Sequence, residues 1–525
     1  IMEMKTFIKS TIMIAALSTI VLTGCDKDDL PKIRTEISAD NDIYGVVEDT
    51  DGNRLAGVTV SDGYNCSVTD QNGVYQLKRG EFSYQVFVSV PADCKIPIEE
   101  GQPHFWKQLS ESQKRYDFTL EKLPAVEESF NLFCIADPQC QNNTHVSRYM
   151  NETVPDIVAK VNASELPVYG MTLGDIGYNT YNNDYTNAVF PLMKIALSTD
   201  KNAGMPIFKV MGNHDYKVLN VKKADYTVAH DIKVQRNFEY TFGPVNYSFN
   251  RGQVHIIGMD DMIFPNHDDY SLGFRDDQVE WLRQDLANVP KDRMIIFCVH
   301  VPLRASTNQN VQAVLDLLRE YSSVHVMSGH THYAENDEYS THYEHVHGAA
   351  CGAWWHSTIN TDGTPNGYAV YKVEGNKITD WTYKATGEDD NFQLRLYKGQ
   401  DVFFEGYKPS YQFYYNTDKD LVANVWNADS AWKLTVYEDG TATGTMELFG
   451  NETKGKCRDA WASGYHCGVQ GRGDNYDRTG NSHMYHYTLK NPSAAVKVVA
   501  TDRFGKTFEQ DYITTNKVED YPDKF

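Results

Sequence analysis

The sequence has no excess of basic residues: 71 acidic residues outweigh 49 basic ones, and the formal net charge is -22 at pH 7. Binding to long nucleic acids depends on Lys and Arg side chains that displace counterions from phosphates. An acidic chain of this kind therefore disfavours a nucleic-acid polymer as its partner. Repeats of the solenoid kind are also missing. Because 525 residues are too many for one core, we expect about three domains.

The N-terminal region lacks an apolar run that is long enough to span a membrane. The run from Ile12 to Leu22 is too short to span a bilayer comfortably and follows two lysines, which is typical of a secretory signal peptide. The small residues before Cys25 fit a lipobox, where the signal is cut and the new N-terminal cysteine is acylated. The alternative is an ordinary signal peptide with an incidental cysteine. We expect residues 1–25 to be a lipoprotein signal peptide and Cys25 to carry a membrane anchor.

Residues 26–41 are polar and lack periodicity, which indicates a tether. Their "KDD" resembles the acidic export signal of lipoproteins in Bacteroides-like bacteria. We expect an exported lipoprotein on the periplasmic or cell-surface face of the outer membrane of a Gram-negative bacterium. In that oxidising compartment, Cys457 and Cys467 are the best candidates for a disulfide, whereas Cys134 and Cys298 lie in apolar runs and are predicted to be buried.

Two regions read as β-rich domains. Residues 42–122 alternate apolar and polar positions between Asp/Asn-Gly turns, which predicts a small β-sandwich that resembles the carboxypeptidase-regulatory-like (transthyretin-like) fold. Residues 386–525 again show strands and turns, which predicts a second β-sandwich. Its aromatic side chains could bind a glycan or lipid headgroup, or the domain could pack against the central region. A surface glycan or a protein is therefore a candidate partner of the flanking domains.

Residues 129–385 have a different pattern, in which apolar strand-like runs alternate with helical stretches. In "NQNVQAVLDLLREY", the residues Val311, Val314, Leu315 and Leu318 share one helix face. Alternating strands and helices predict an α/β domain with both sheet faces covered.

Polar residues follow the strand-like runs of this central region. They are Asp137, Gln139, Asp175, Asn213, His214, Asp215, His300, His330 and His332. Taken singly, Asp175 or Asn213 fits a turn, but the carboxyl ends of strands in open α/β sheets line one crevice. A mixture of carboxylates, amides and imidazoles suits Mn, Fe or Zn, and seven ligands suit two ions that share a carboxylate.

The ordered motifs "DPQ", "GD", "GNHD", "VH" and "GHTH" resemble those of the calcineurin-like metallophosphoesterases. This resemblance implies a four-layer α/β/β/α sandwich over residues 129–385, flanked by the two all-β sandwich domains. It also implies a dinuclear-metal phosphoester hydrolase that acts on a small phosphorylated substrate, with a metal-bridging hydroxide as the nucleophile. The pattern does not separate a phosphodiesterase from a phosphomonoesterase.

The resemblance implies a role for each residue. The first metal is assigned to Asp137, Gln139 and His332, and the second to Asn213, His300 and His330. Asp175 would bridge the two ions. His214 would contact the phosphoryl group and protonate the leaving oxygen, and Asp215 would orient its ring.

Two motif positions depart from the usual pattern. Gln139 stands where the family usually has histidine, and its harder amide oxygen favours Mn over Zn. Tyr178 in "GDIGY" stands where "GDxxD" would supply a carboxylate. Gln139 also leaves a nucleotide-diphosphate pyrophosphatase as an alternative, and a non-catalytic surface binding lipoprotein is the alternative outside enzymes. The intact ligand set argues against the second alternative.

The run "HYEHVHGAACGAWWH" adds further histidines close to the last motif. His345 and His347 would share one face of a strand, while Trp354 and Trp355 would point in opposite directions. A third metal site or a substrate platform is one interpretation. A strand core with a rim is the interpretation that we favour.

Overall fold

A computed structural model describes residues 30–179, 186–217, 219–266, 269–304, 306–399, 415, 417–449, 458–473, 476 and 480–512. The predicted signal peptide, Cys25 and one half of the predicted disulfide, Cys457, lie outside these residues and stay predictions. Within the described ranges, no helix has both the length and the apolar character needed to cross a membrane.

The N-terminal region is a small β-sandwich, as its turn spacing predicted. Its strands are β1 Ile43–Asp49, β2 Thr59–Ser61, β3 Cys66–Val68, β4 Val74–Leu77, β5 Gln85–Val88, β6 Ile98–Glu99, β7 Gln102–Pro103, β8 Trp106–Gln108 and β9 Phe118–Leu120. One sheet has the order β4-β1-β9 and the other β3-β2-β5-β8. Val47 of the first and Val86 of the second belong to the same core. Residues 30–41 have no helix or strand, and the Ser38 amide donates to Gln76 Oε1 on this domain over 2.9 Å.

The central region contains two larger sheets and a hairpin. The strands are β10 Ser129–Ile135, β11 Val168–Leu173, β12 Ile207–Val210, β13 Tyr247–Arg251, β14 Val254–Gly258, β15 Met262–Asn266, β16 Asp269–Leu272, β17 Met294–Cys298, β18 Ser323–Ser328, β19 Glu335–Glu338, β20 Tyr343–Val346, β21 Gly367–Glu374 and β22 Lys377–Ala385. The helices are α1 Asn143–Arg148, α2 Val154–Asn162, α3 Thr186–Ala196, α4 Val228–Val234, α5 Arg236–Phe242, α6 Asp276–Leu286 and α7 Val311–Leu318, with a π-helical turn at Tyr149–Thr153 and a 3-10 turn at Lys223–Asp225.

Successive residues of β10 show how these elements are layered, because neighbouring side chains of a strand point to opposite faces. Leu132 and Cys134 lie in a core shared with the second sheet, whereas Phe133 and Ile135 lie in a core shared with α1, α2 and α3. On the second sheet, α7 buries Val311, Val314, Leu315 and Leu318, the predicted helix face. The four-layer α/β/β/α sandwich that the resemblance implied is therefore confirmed. Cys134 and Cys298 are buried, as predicted.

The sheet orders place the predicted ligands at one edge of each sheet. The first sheet has the order β12-β11-β10-β21-β22 and the second β13-β14-β17-β18-β20-β19. The strands β10, β11 and β12 run parallel, and so do β14, β17, β18 and β20. A predicted ligand follows each of β10, β11, β12, β17 and β18 within three residues of the strand end. The carboxyl ends of both sheets therefore deliver side chains to a common region.

The C-terminal region is a second β-sandwich. Its elements are β23 Arg395–Lys398, β24 Asp420–Asn424, β25 Lys433–Glu438, β26 Thr441–Thr445, β27 Glu447–Leu448, α8 Ala460–Ser463, a π-helical segment Gly464–Val469, β28 Met484–Thr488, β29 Val496–Thr501 and β30 Thr507–Asp511. The sheets have the orders β23-β24-β28-β27 and β26-β25-β29-β30, and they share one core.

Buried polar contacts attach this domain to the central one. Asp362 Oδ2 lies 3.1 Å from His483 Nε2, and the carbonyl oxygen of Asp362 accepts from Asn424 Nδ2 over 2.8 Å and from Asn481 Nδ2 over 2.7 Å. Asp362 and His483 are both buried. Buried hydrogen bonds of this kind are costly to break, so the domain is packed against the central sandwich rather than held only by its linker.

Candidate metal centre

Three of the predicted ligands converge from three different strand ends. Asn213 Oδ1 lies 3.0 Å from His300 Nε2 and 3.0 Å from His330 Nδ1, and the two ring nitrogens lie 3.2 Å apart. His300 Nδ1 lies 2.7 Å from the carbonyl oxygen of Leu173, to which it donates. That hydrogen bond fixes the ring so that Nε2 faces the cluster. These three residues are the set assigned to the second metal.

The other assigned set contains two buried oxygens that accept no hydrogen bond from a described residue. Asp137 Oδ1 lies 3.5 Å from His332 Nε2. Asp137 Oδ1 and Gln139 Oε1 are both buried, and neither accepts a hydrogen bond from any described residue. Because buried acceptors without a partner are costly, these oxygens fit a bound cation. The donor set of one carboxylate, one amide and one imidazole suits a divalent metal.

Asp175 lies between the two sets. Its Oδ2 accepts from Gln139 Nε2 over 2.7 Å and lies 3.4 Å from His300 Nε2. Its Oδ1 accepts from the backbone amide of His214 over 2.8 Å. Ligand atoms of Asp137, Asp175 and His300 all lie within 4.8 Å of one another. Asp175 therefore contacts residues of both assigned sets.

Left-handed backbone conformations are concentrated at these residues. The φ angles are 48° at Asp137, 39° at Gln139, 52° at Asp175, 69° at His330 and 54° at His332. Residues with a Cβ adopt this region at a cost of about 1–2 kcal/mol each. Five such residues in one cluster indicate that the tight turns are maintained for the direction in which they point the side chains.

Two motif glycines allow the loops to approach closely. A Cβ at Gly212 would collide with the backbone nitrogen and Oδ1 of Asp175, and one at Gly329 would collide with Oδ2 of Asp137. The glycines of "GNHD" and "GHTH" are therefore required by space as well as by turn geometry.

The charges of the cluster are coupled. Burial opposes ionisation, but the His300 imidazolium lowers the pKa of the Asp175 carboxyl, and the carboxylate in turn raises the pKa of His300 to about 10. Burial and the charge of His300 lower the pKa of His330 to about 4. Without a cation, the cluster therefore holds its proton on His300, and a bound cation has to displace that proton.

His214 is positioned by residues that sequence reasoning did not assign to it. Its Nδ1 lies 2.5 Å from the carbonyl oxygen of Asn179. Its ring stacks on Tyr178 with the ring centroids 4.4 Å apart and the planes at 20°. Since a carbonyl oxygen can only accept, Nδ1 carries the proton and Nε2 is the nitrogen that can serve a substrate.

The predicted role of Asp215 in orienting this ring differs from the structure. Asp215 Oδ1 accepts from the amide of Gly177 over 2.8 Å, and its Oδ2 accepts from the amides of Gly212 over 2.9 Å and Ile176 over 3.1 Å. The buried carboxylate therefore joins the "GD" and "GNHD" loops through their backbones. The physical reason is that its oxygens satisfy amide groups that the tight loops leave unpaired.

A second acid that the sequence analysis missed holds the loop of His300. Asp261 is buried, and its two oxygens accept from the amides of His300 over 3.2 Å and Val301 over 2.9 Å. It follows β14, as the other site residues follow their strands. The acidic pair at that strand end was the available signal in the sequence.

The histidines after the last motif, His345 and His347, lie in the core, which is the interpretation that the sequence analysis favoured. His345 Nδ1 lies 2.9 Å from Asn336 Oδ1, and His347 Nε2 lies 2.8 Å from the Tyr371 hydroxyl. Both histidines are buried. Across the described ranges, the one group of metal-type side chains consists of Asp137, Asp175 and His300 and includes neither of them.

The strand predicted over this run is longer than the strand that the structure contains. β20 ends at Val346, and Trp354 and Trp355 lie on a turn with φ angles of 51° and 62°. Trp355 is buried, whereas the half-buried Trp354 places its ring centroid 5.0 Å from that of His332. The strand thus ends before the two tryptophans, which lie on a separate left-handed turn.

Comparison with known proteins gives three consecutive family matches. Residues 41–123 match the model for the N terminal of calcineurin-like phosphoesterase, residues 133–334 the model for calcineurin-like phosphoesterase, and residues 344–508 the model for its C terminal. No curated protein sequence matches the chain.

The matches among solved structures are distant. The purple acid phosphatase from yellow lupin (Lupinus luteus) seeds is 13% identical, with a TM-score of 0.32, over 50% of this chain and 54% of that one. The 5'-nucleotidase from Candida albicans is 11% identical, with a TM-score of 0.31, over 49% of this chain and 51% of that one. This chain thus matches about half the length of each protein. The family matches together cover most of the sequence, and the chain belongs to the calcineurin-like phosphoesterases, a family of metal-dependent phosphoester hydrolases.

Proposed function

We propose that this chain is a dinuclear-metal phosphoester hydrolase that acts outside the cytoplasm on a small phosphorylated substrate. The observation that carries the proposal is the arrangement of the two ligand sets. One set contains Asn213, His300 and His330, the other contains Asp137, Gln139 and His332, and Asp175 contacts both sets through Gln139 and His300.

Bound in these sets, two divalent cations would stabilise charge on the phosphoryl oxygens and lower the pKa of the attacking water. The residues supply mainly oxygen and imidazole donors. The amide oxygen of Gln139 favours Mn over Zn at the first site. Burial of Asp137, Asp175 and His300 strengthens their attraction for a cation, since little water screens it.

His214 is the proposed proton donor to the leaving oxygen. Its backbone amide is tied to Asp175, which places the ring beside the ligand sets. The Asn179 carbonyl fixes the tautomer and Tyr178 fixes the plane of the ring. A positioned imidazolium of this kind lowers the barrier by protonating an alkoxide as it departs.

The predicted lipoprotein signal supports the extracytoplasmic part of the proposal. If Cys25 carries a lipid, the full chain fractionates with membranes and incorporates labelled palmitate. The Cys25→Ala variant should lose both properties. Equal membrane association and equal labelling of the two chains would contradict the anchor.

The activity is tested with bis-p-nitrophenyl phosphate and p-nitrophenyl phosphate in the presence of added Mn. We expect turnover of at least one ester, and loss of that turnover in Asp175→Asn. The matched control is Asp316→Asn, which changes a carboxylate on the outer helix α7. No turnover of either ester, together with no bound metal by elemental analysis, would rule out the enzymatic proposal.

A further inference from the structure

Aromatic rings lie against His214 on one side of the candidate centre and against His332 on the other. Tyr178 stacks on His214 with the centroids 4.4 Å apart, and Trp354 lies 5.0 Å from His332. Tyr476, from the C-terminal domain, meets Trp354 edge to face at 5.4 Å. We call Tyr178, Trp354 and Tyr476 the aromatic arc.

The members of the arc are half-buried. Aromatic rings of a core are normally covered on all sides, so rings left partly open beside a reaction centre offer apolar surface to a ligand. Trp354 has a φ of 51° and is therefore held in a strained turn. The strain is consistent with a ring that is placed for binding rather than for packing alone.

The C-terminal domain holds its part of the arc against the turn that carries Trp354. Gln470 Nε2 donates to the carbonyl oxygen of His356 over 2.8 Å. The Tyr476 ring also contacts the rings of His356, at 6.4 Å, and His466, at 5.6 Å. The arc therefore exists only when the two domains are packed together.

The charge around Tyr476 selects among possible ligands. The guanidinium of Arg472 lies 6.0 Å from the centroid of the Tyr476 ring. An aromatic cage alone would suit a quaternary ammonium group as well as a planar ring. A neighbouring guanidinium repels a cationic headgroup, so the site favours a neutral planar ring.

We propose that the aromatic arc is a subsite for a planar aromatic ring in the leaving group of the substrate. The leaving group is the relevant part, because the arc begins at His214, the proposed donor to the leaving oxygen. This inference rests on the proposed phosphoester hydrolase function. It makes Tyr178, Trp354 and Tyr476 specificity-determining residues.

The test compares benzyl phosphate with cyclohexylmethyl phosphate, as monoesters and as methyl diesters, in the presence of Mn. The two alcohols are similar leaving groups, and they differ mainly in whether the ring is planar and aromatic. We expect the full chain to prefer the benzyl ester in kcat/KM by on the order of tenfold, the size of one base–aromatic stacking contact. Tyr476→Ala should abolish this preference mainly through KM, and Tyr476→Phe should retain it.

Controls separate the possible failures. Tyr437→Ala removes a half-buried tyrosine on β25 of the same domain and should leave the preference unchanged. Equal turnover of both esters by the wild type would overturn the subsite but not the hydrolase. If the wild type turns over neither ester and no p-nitrophenyl ester, both the subsite and the hydrolase function are overturned. A preference for phosphocholine that Tyr476→Ala abolishes would overturn the planar-ring assignment in favour of a cation cage.

Discussion

His214 Nδ1 lies 2.5 Å from the backbone carbonyl oxygen of Asn179. An imidazole held by a carbonyl is fixed in one tautomer but gains less charge stabilisation than one paired with a carboxylate. Both carboxylate oxygens of the nearby Asp215 instead accept hydrogen bonds from backbone amides. Ring orientation and loop closure are therefore performed by different residues.

Asp215→Asn should mainly lower the stability of the fold, and any loss of reaction rate should follow from that loss of stability. The new amide group places N–H donors against backbone N–H donors, which costs about 1–3 kcal/mol. We expect a lower thermal midpoint and lower metal content, measured by calorimetry and elemental analysis. If kcat falls while both of those quantities stay at wild-type values, Asp215 acts on the ring after all.

His214→Ala should retain both metals and lose turnover in proportion to the leaving group's need for a proton. Alkyl phosphoesters should slow by roughly 10²–10⁴-fold, the usual contribution of a general acid. p-Nitrophenyl esters should slow less, because p-nitrophenolate leaves without a proton. The measurement is kcat for the two ester types on one metal-loaded preparation. Loss of metal from this variant would assign His214 to the ligands.

Asp175→Asn should lower the occupancy of both metal sites at once. The substitution removes the charge that the two ligand sets share and leaves an amide opposite Gln139 Nε2, where a carboxylate oxygen accepts at present. Elemental analysis after dialysis against trace Mn measures the effect. Asp316→Asn is the control, and two fully occupied sites in Asp175→Asn would be incompatible with a bridging role.

Gly212→Ala should disrupt the centre through sterics alone. The added methyl group collides with the backbone of Asp175, which cannot move without displacing its turn. We expect loss of metal and activity, with a thermal midpoint lower than that of the wild type. Gly473→Ala is the matched control, because a Cβ there meets nothing within 4 Å. Wild-type metal content in Gly212→Ala would show that the loops relax more easily than the packing implies.

Lys209→Met should flatten the pH dependence of stability. Lys209 is buried on β12, its amino group donates to Gln102 Oε1 of the N-terminal domain, and burial lowers the pKa of the ammonium from 10.5 to about 7. Between these values the unfolded chain binds more protons than the folded one, so stability rises as pH increases from about 7 towards 10.5. Denaturant unfolding at pH 7 and pH 9.5 should show a smaller difference for the variant. An unchanged difference would mean that Lys209 stays protonated in the folded state.

The convergence of the candidate ligands was predictable, because they follow successive strands at defined places. Asp137, Asp175 and His330 each follow a parallel strand by two residues, and such positions converge in an α/β fold. The apolar face of α7 was predictable for a similar reason, since helical periodicity is local. Short-range patterns in the sequence therefore predicted most of the fold and most of the candidate site.

Partners that come from distant segments were not predictable. Tyr178 was noted only as a missing carboxylate, and its stacking on His214 depends on how two loops pack. Tyr476 is more than 100 residues from Trp354 in sequence, and the two meet only because the C-terminal domain is packed against the central one.

The amino-acid sequence alone predicts which side chains could bind metal, and it predicts the order of strands and helices that brings them to one edge. Which atom each side chain faces depends on the tertiary fold. That choice depends on left-handed turns at Asp137, Asp175 and His330 and on contacts between domains. Neither leaves a periodic trace in the chain, because both arise from energies that are shared among residues far apart in sequence.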